Sequence, residues 1–151
     1  MIKIICVGKI KEKYLKDAIA EYSKRISKYT KLEIIEVSDR DKLPIKDILD
    51  KEGNDILKHI NDKDYVVTLE ITGNNLSSIE LAKKIDTIFN KYSNIVFVIG
   101  GSYGLSDSIK NRSNYPLSFS KLTFPHQLFR VMLLEQIYRA YKINNNETYH
   151  K

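Results

Sequence analysis

The chain has 151 residues, 42% of them hydrophobic and 29% charged. That composition folds rather than staying disordered, and the length suits one domain over residues 1–151. Folding at this size removes about two-thirds of the unfolded surface from water, so stability requires neither a disulfide nor a metal.

The formal net charge of +6 is unevenly spread. Residues 1–75 carry 15 basic and 14 acidic side chains, and residues 76–151 carry 10 and 5. A basic excess on one part of a domain attracts polyanions such as RNA, although a solvated lysine-rich surface is the plainer account. Cys6 is the one cysteine and lies within the apolar run Ile2–Val7, where a buried, inert thiol is expected. A lone cysteine fits a reducing compartment, and no apolar stretch reaches 18 residues. The expectation is a cytoplasmic protein that does not span a membrane.

Ile2–Val7, closed by Gly8, reads as a first strand. Leu15, Ala18, Ile19, Tyr22, Ile26 and Tyr29 then recur at helical spacing. Leu32–Val37 alternates as a second strand. Pro44 suits the first turn of a helix whose apolar face is Ile45, Ile48, Leu49, Ile56, Leu57 and Ile60. Tyr65–Ile71 is a third strand, with a turn at Thr72-Gly73-Asn74-Asn75. Ser77 and Glu80 spell a capping box, Leu76 and Leu81 a hydrophobic staple, and Leu81, Ala82, Ile85 and Ile88 the buried stripe that follows.

Ile95–Ile99 has no polar residue, as a strand covered on both faces requires, and runs into Gly100-Gly101-Ser102-Tyr103-Gly104. A short helix starts near Ser106 or Asp107, and Tyr115–Ser120 is a last strand. Pro125 opens a long helix to about Tyr141. One of its stripes holds Leu128, Val131, Met132, Glu135 and Tyr138; the other holds Arg130, Leu134, Ile137 and Tyr141. Five strands interleaved with helices predict an α/β fold with a mostly parallel five-stranded sheet.

Such sheets bind ligands at the carboxyl ends of their strands, which directs attention to the glycine loop 100–104. A tight strand-to-helix turn explains that loop without any ligand. Its G-G-x-x-G spacing is not G-x-G-x-x-G, and residues 115–125 hold no acid for a ribose, so NAD binding is disfavoured. The commonest methyltransferase fold places its glycine loop after the first strand, where this chain has only Gly8. No P-loop occurs, and His59, His126 and His150 do not cluster with acids at metal-ligand spacing.

Three features remain. Ser118–Gln127 is too apolar for an ordinary surface loop: its phenylalanines pack into the core or a partner, or wall a pocket for an aromatic ligand. Glu135 and Arg139 are i, i+4 and can pair on a helix surface, whereas Arg130 has no such local partner. The tail ends Tyr149-His150-Lys151. Chain ends usually fray, yet an aromatic, an imidazole and a cation together suit RNA contact.

Over essentially its whole length the chain resembles the bacterial large-subunit (23S) rRNA pseudouridine N3-methyltransferases of the SPOUT superfamily. The matching segments are Val7-Gly8-Lys9, Lys51-Glu52-Gly53, Thr68-Leu69-Glu70-Ile71 with Gly73, and Phe97 to Ser102. The most specific runs from Leu117 to Gln127 and on through Arg130 and Glu135–Ala140 to Tyr149-His150. The resemblance implies a C-terminal trefoil knot, a rare exception to the rule against threaded chains. It implies a homodimer with sites near the interface, and rRNA in the ribosome as partner.

It further implies S-adenosylmethionine as methyl donor, with no metal, held by Leu69, Gly100, Gly101, Phe119, Ser120, Lys121, Leu122, Thr123 and Phe124. The N3 of pseudouridine is a protonated imide nitrogen, so His150 is the candidate for proton acceptance or substrate positioning, with Tyr149 as stacking or orienting partner. Arg130 is the candidate for stabilising the charged base or holding a phosphate. His126 is expected to fix the loop. An RNA-binding protein that keeps the knot without catalysis is the alternative.

Overall fold

The computed structural model describes residues 1–151, in the order β1 (Ile2–Val7), α1 (Lys13–Ile26), β2 (Leu32–Val37), α2 (Ile45–Leu57), β3 (Tyr65–Asn75), α3 (Ser78–Phe89), β4 (Ile95–Ile99), α4 (Asp107–Arg112), β5 (Tyr115–Ser118) and α5 (His126–Asn144). The strands form one sheet in the order β2-β1-β4-β3-β5, and every pairing is parallel. β4 lies between β1 and β3 with all five residues buried, which is why its sequence is apolar throughout.

Side chains alternate across the sheet and feed two cores. Ile2, Ile4, Cys6, Val67, Phe97 and Leu117 pack with Ile26 of α1, Ile85 of α3 and Leu133, Leu134 and Ile137 of α5. Ile5, Val7, Val66, Val96 and Val98 face the other way, onto Ile56 of α2 and Ile109 of α4. Helices therefore cover both faces of the sheet.

The capping box forms as the sequence requires: Ser77 Oγ accepts from the Glu80 amide at 3.1 Å, and Glu80 Oε1 accepts from the Ser77 amide at 2.8 Å. Ser106 caps α4 through its side chain. Pro44 and Pro125 stand one residue outside their helices, and α5 continues three residues past Tyr141.

The strand ends differ from the expected ones. β5 stops at Ser118, and β3 runs on through Asn75 where a turn was expected. Its pairing with β5 shifts register between Leu69 and Asn74, so Asn74 and Asn75 again sit opposite Leu117 and Ser118. Gly73 makes this possible, because a Cβ there would come within 2.8 Å of the Pro116 carbonyl carbon. Asn74 and Asn75 then donate side-chain amides to the Pro116 and Ser118 carbonyls at 3.0 Å each. Turn-forming residues were recruited to an irregular strand pair.

Candidate cofactor site and active site

The glycine turn follows directly from β4. The Gly104 amide donates to the Gly101 carbonyl at 3.1 Å, and Gly104 adopts φ +86°. A Cβ on Gly100 would lie 2.5 Å from the Gly104 oxygen, so the turn closes only over glycine. Across from it, at the ends of β3 and β5, runs the segment 118–125 leading into α5.

Between them lies a cavity of about 300 Å³. Of the residues expected to hold a cofactor, Leu69, Gly100, Gly101, Phe119, Ser120, Leu122, Thr123 and Phe124 line it. Lys121 does not; it is exposed beside the loop. Phe119 and Phe124 pack against Phe129, which lines the cavity with them, at ring-centroid distances of 4.7 and 6.0 Å. His126 also lines the cavity, at the first turn of α5.

Sequence reasoning missed Glu70, Ile71, Thr72 and Lys110 in this lining. Glu70 follows Leu69 directly, so the strand period puts the two on opposite faces of β3 and gave no signal that both would line one cavity. Lys110 arrives through the fold-back of α4, for which no local signal exists.

Phe119, Phe124, Leu117 and Ser118 also wall a second cavity of about 460 Å³ on the α3–α5 side. Leu76, Leu81, Val131, Met132 and Glu135 complete much of its lining. The two stripes read along α5 thus part company. Leu134 and Ile137 enter the core, while Val131, Met132 and Glu135 face this groove.

Arg130 is 2% exposed. Its Nη1 meets Glu36 Oε2 at 2.6 Å, and Nη2 donates to the Gly8 carbonyl at 3.2 Å. Its buried Nε has no partner. The arginine without a local partner has a distant one, and it fastens α5 to the ends of β1 and β2. Cys6 lies close by, its thiol pushed up to about 12, mainly by burial.

The tail has no helical period, as expected, yet it is held. Tyr149 packs edge-on against Tyr138 with centroids 4.9 Å apart, and the Arg139 guanidinium carbon lies 4.7 Å from its ring centre. Arg139 is itself paired with Glu135, Nη2 to Oε1 at 2.6 Å, the i, i+4 contact read from the sequence. Arg139 Nη1 also lies 3.1 Å from His150 Nδ1. A guanidinium has no acceptor, so in this contact Nδ1 accepts and the imidazole proton sits on Nε2. Glu147, bonded by Lys142 at 2.9 Å and by the Tyr29 hydroxyl at 2.8 Å, ties the turn after α5 back to that helix and to the segment that follows α1. His150 itself is exposed.

No helix is long and apolar enough to cross a membrane. A parallel sheet covered on both faces, with a glycine turn and an aromatic-walled cavity at its strand ends, defines an α/β protein with an open cavity where such sheets bind ligands. Residues 1–150 match the family described as "Predicted SPOUT methyltransferase", and the chain belongs to that family. It is 59% identical to a "Ribosomal RNA large subunit methyltransferase H" from Clostridium botulinum (strain Alaska E43 / Type E3) and 56% identical to one from Clostridium tetani (strain Massachusetts / E88). Each alignment covers 99% of both chains. A solved structure titled "The structure of a probable methylase family protein from Haemophilus influenzae Rd KW20" shares the fold, with a TM-score of 0.58 at 14% identity. That match covers 99% of this chain and 70% of the other.

Proposed function

We propose that this protein transfers a methyl group from S-adenosylmethionine to N3 of a pseudouridine in 23S rRNA. It acts in the cytoplasm, on the assembled ribosome, as a homodimer of single-domain chains. Full-length similarity to proteins named as large-subunit rRNA methyltransferases supports the reaction class. The observation that carries the site is the cavity between the glycine turn and the Phe119–Phe124 wall. Its volume is at the lower end for small-ligand pockets, and its apolar walls and close-approaching glycines fit a flat adenosine group. Leu69, Gly100, Gly101, Phe119, Ser120, Leu122, Thr123 and Phe124 are the residues assigned to hold it. Lys121 is assigned to the loop's outer face and to RNA. In this reading the segment 115–144 forms a trefoil knot, which keeps the wall rigid.

S-adenosylmethionine, when bound, supplies an electrophilic methyl on a sulfonium. The rest of the work is positioning an acceptor in line and managing the imide proton. His150 is assigned to that proton or to holding the base, with Tyr149 as its anchor on α5. Arg130, expected from the sequence to touch the charged base, is reassigned: its buried bonds to Glu36 and Gly8 make it a positioning residue for the start of α5. His126 fixes the loop. The groove along Val131 and Met132 shares its wall with the cofactor cavity, and it is assigned to the second copy of the homodimer.

The test is transfer of labelled methyl to ribosomes from a strain lacking this gene, with free rRNA alongside and mass spectrometry of nuclease digests. Methylpseudouridine that forms only with added protein establishes donor, substrate and reaction together. Cofactor binding without transfer means a different RNA target, and the absence of both transfer and cofactor binding supports the non-catalytic alternative.

A further inference from the structure

The cofactor cavity is lined by one acid, Glu70, and one lysine, Lys110. Neither is within ion-pair distance of an opposite charge in the protein. Glu70 is nonetheless firmly oriented. Thr68 Oγ1 donates to Glu70 Oε2 at 2.6 Å, and Ser113 Oγ lies 2.8 Å from the same hydroxyl. Thr68 has a single proton to give, so Ser113 must be the donor to Thr68. A relay of two hydroxyls, running through a threonine with no exposed surface, thus ends on the carboxylate. It occupies Oε2 and leaves Oε1 without a partner in the chain.

Glu70 is half-buried, and a carboxylate beside an apolar cavity is costly unless a ligand brings it a positive charge, whereas Lys110 is exposed and offers an unpaired cation at the cavity mouth. We propose that Glu70 and Lys110 together recognise a zwitterionic amino-acid end on the bound cofactor. Glu70 accepts from the α-ammonium, and Lys110 donates to the α-carboxylate. The inference rests on S-adenosylmethionine as the ligand of this cavity. The sulfonium is a second cation Glu70 could meet, but it has no proton to donate to the free Oε1. It also makes no use of Lys110, whereas the amino-acid end engages both residues.

Calorimetric titration of the full chain with three ligands tests this: S-adenosylmethionine, S-adenosylhomocysteine, and 5′-methylthioadenosine, which lacks the amino-acid end. Glu70→Gln is expected to weaken the first two alike, about tenfold, the worth of one charge-assisted hydrogen bond to a partly solvated group, and to leave the third unchanged. Lys110→Met should give the same pattern. Thr68→Val, which removes the buttress and keeps the packing volume, should give a smaller loss of the same kind. Circular dichroism and thermal melting confirm that each variant is folded.

A loss confined to S-adenosylmethionine overturns the proposal in favour of the sulfonium. Equal losses for all three ligands, or none, overturn it as well. Failure of the unaltered protein to bind any of them defeats the cofactor reading itself, a result distinct from each of these.

Discussion

Arg130 and Glu36, 94 residues apart in the chain, meet at 2.6 Å beside the end of β1. The pair is lopsided, because Arg130 is sealed in while the Glu36 side chain keeps 36% of its surface. Removing the exposed partner is therefore the harsher change, since it strands a buried cation on one carbonyl. Glu36→Ala is expected to lower unfolding stability by about 3 kcal/mol in urea titration. A loss under about 1 kcal/mol would show that water reaches the guanidinium. The same variant should loosen the start of α5, and with it the Phe129 ring that packs against Phe119 and Phe124.

Cys6 lies 1% exposed near this pair, with its thiol pushed up to about 12. The thiolate is the reactive form, so at pH 8 the folded protein should resist a disulfide reagent for hours and react at once in denaturant. Rapid reaction of the native protein would mean that the β1 edge opens locally far below the cost of global unfolding.

The capping box of α3 carries a pH signature. The Ser77 backbone amide, and secondarily its hydroxyl, hold the Glu80 carboxyl below the ordinary value of 4.5. A folded value below the unfolded one stabilises fully above the unfolded value and fades as pH falls through the folded one. Glu80→Gln should thus be less stable than the parent at pH 7, and the difference should shrink as pH falls below 4.5 and through the folded value. Ser77→Ala should cost about 1 kcal/mol, because the amide of Glu80 loses its acceptor.

The order of elements was legible because each carries a local period: alternation in β2, an unbroken apolar run in β4, a capping box before α3. Non-local pairing was not. Thr72–Asn75 has the composition of a turn, and only the register of β5 against β3 makes strand of it. The cavity wall was readable, since two phenylalanines in a loop must pack somewhere. Glu36 as the partner of Arg130, and Lys110 in the same cavity lining as Glu70, depend on chain segments brought together by the whole topology. No window of sequence contains them.

Gly100 tests the turn without touching a charged group. A Cβ there meets backbone at 2.5 Å and 2.8 Å, atoms that cannot rotate aside. Gly100→Ala should push the 101–104 turn outward, cost about 2 kcal/mol, and weaken S-adenosylmethionine binding by more than that loss of folded protein explains. Titration of the folded variant well below its melting temperature separates the two effects. Unchanged affinity would move the ligand away from the glycine turn.

The tail offers the sharpest separation of structure from chemistry. Tyr149 is held chiefly by its ring, between Tyr138 and the Arg139 guanidinium, and its hydroxyl reaches Glu135 only at 3.4 Å. Tyr149→Phe should therefore keep the tail in place and retain nearly full turnover on ribosomes. Tyr149→Ala removes the ring and frees His150, the residue assigned to the acceptor base. A catalytic group displaced by an ångström or more loses about a hundredfold in rate, so turnover should fall to that order while cofactor affinity stays constant. Nitrogen-15 spectra of the imidazole provide a reading independent of activity. The Nε2–H tautomer set by Arg139 should dominate in the parent and in Tyr149→Phe, and give way to a mixture in Tyr149→Ala. Equal turnover in all three proteins would remove the tail from the active site.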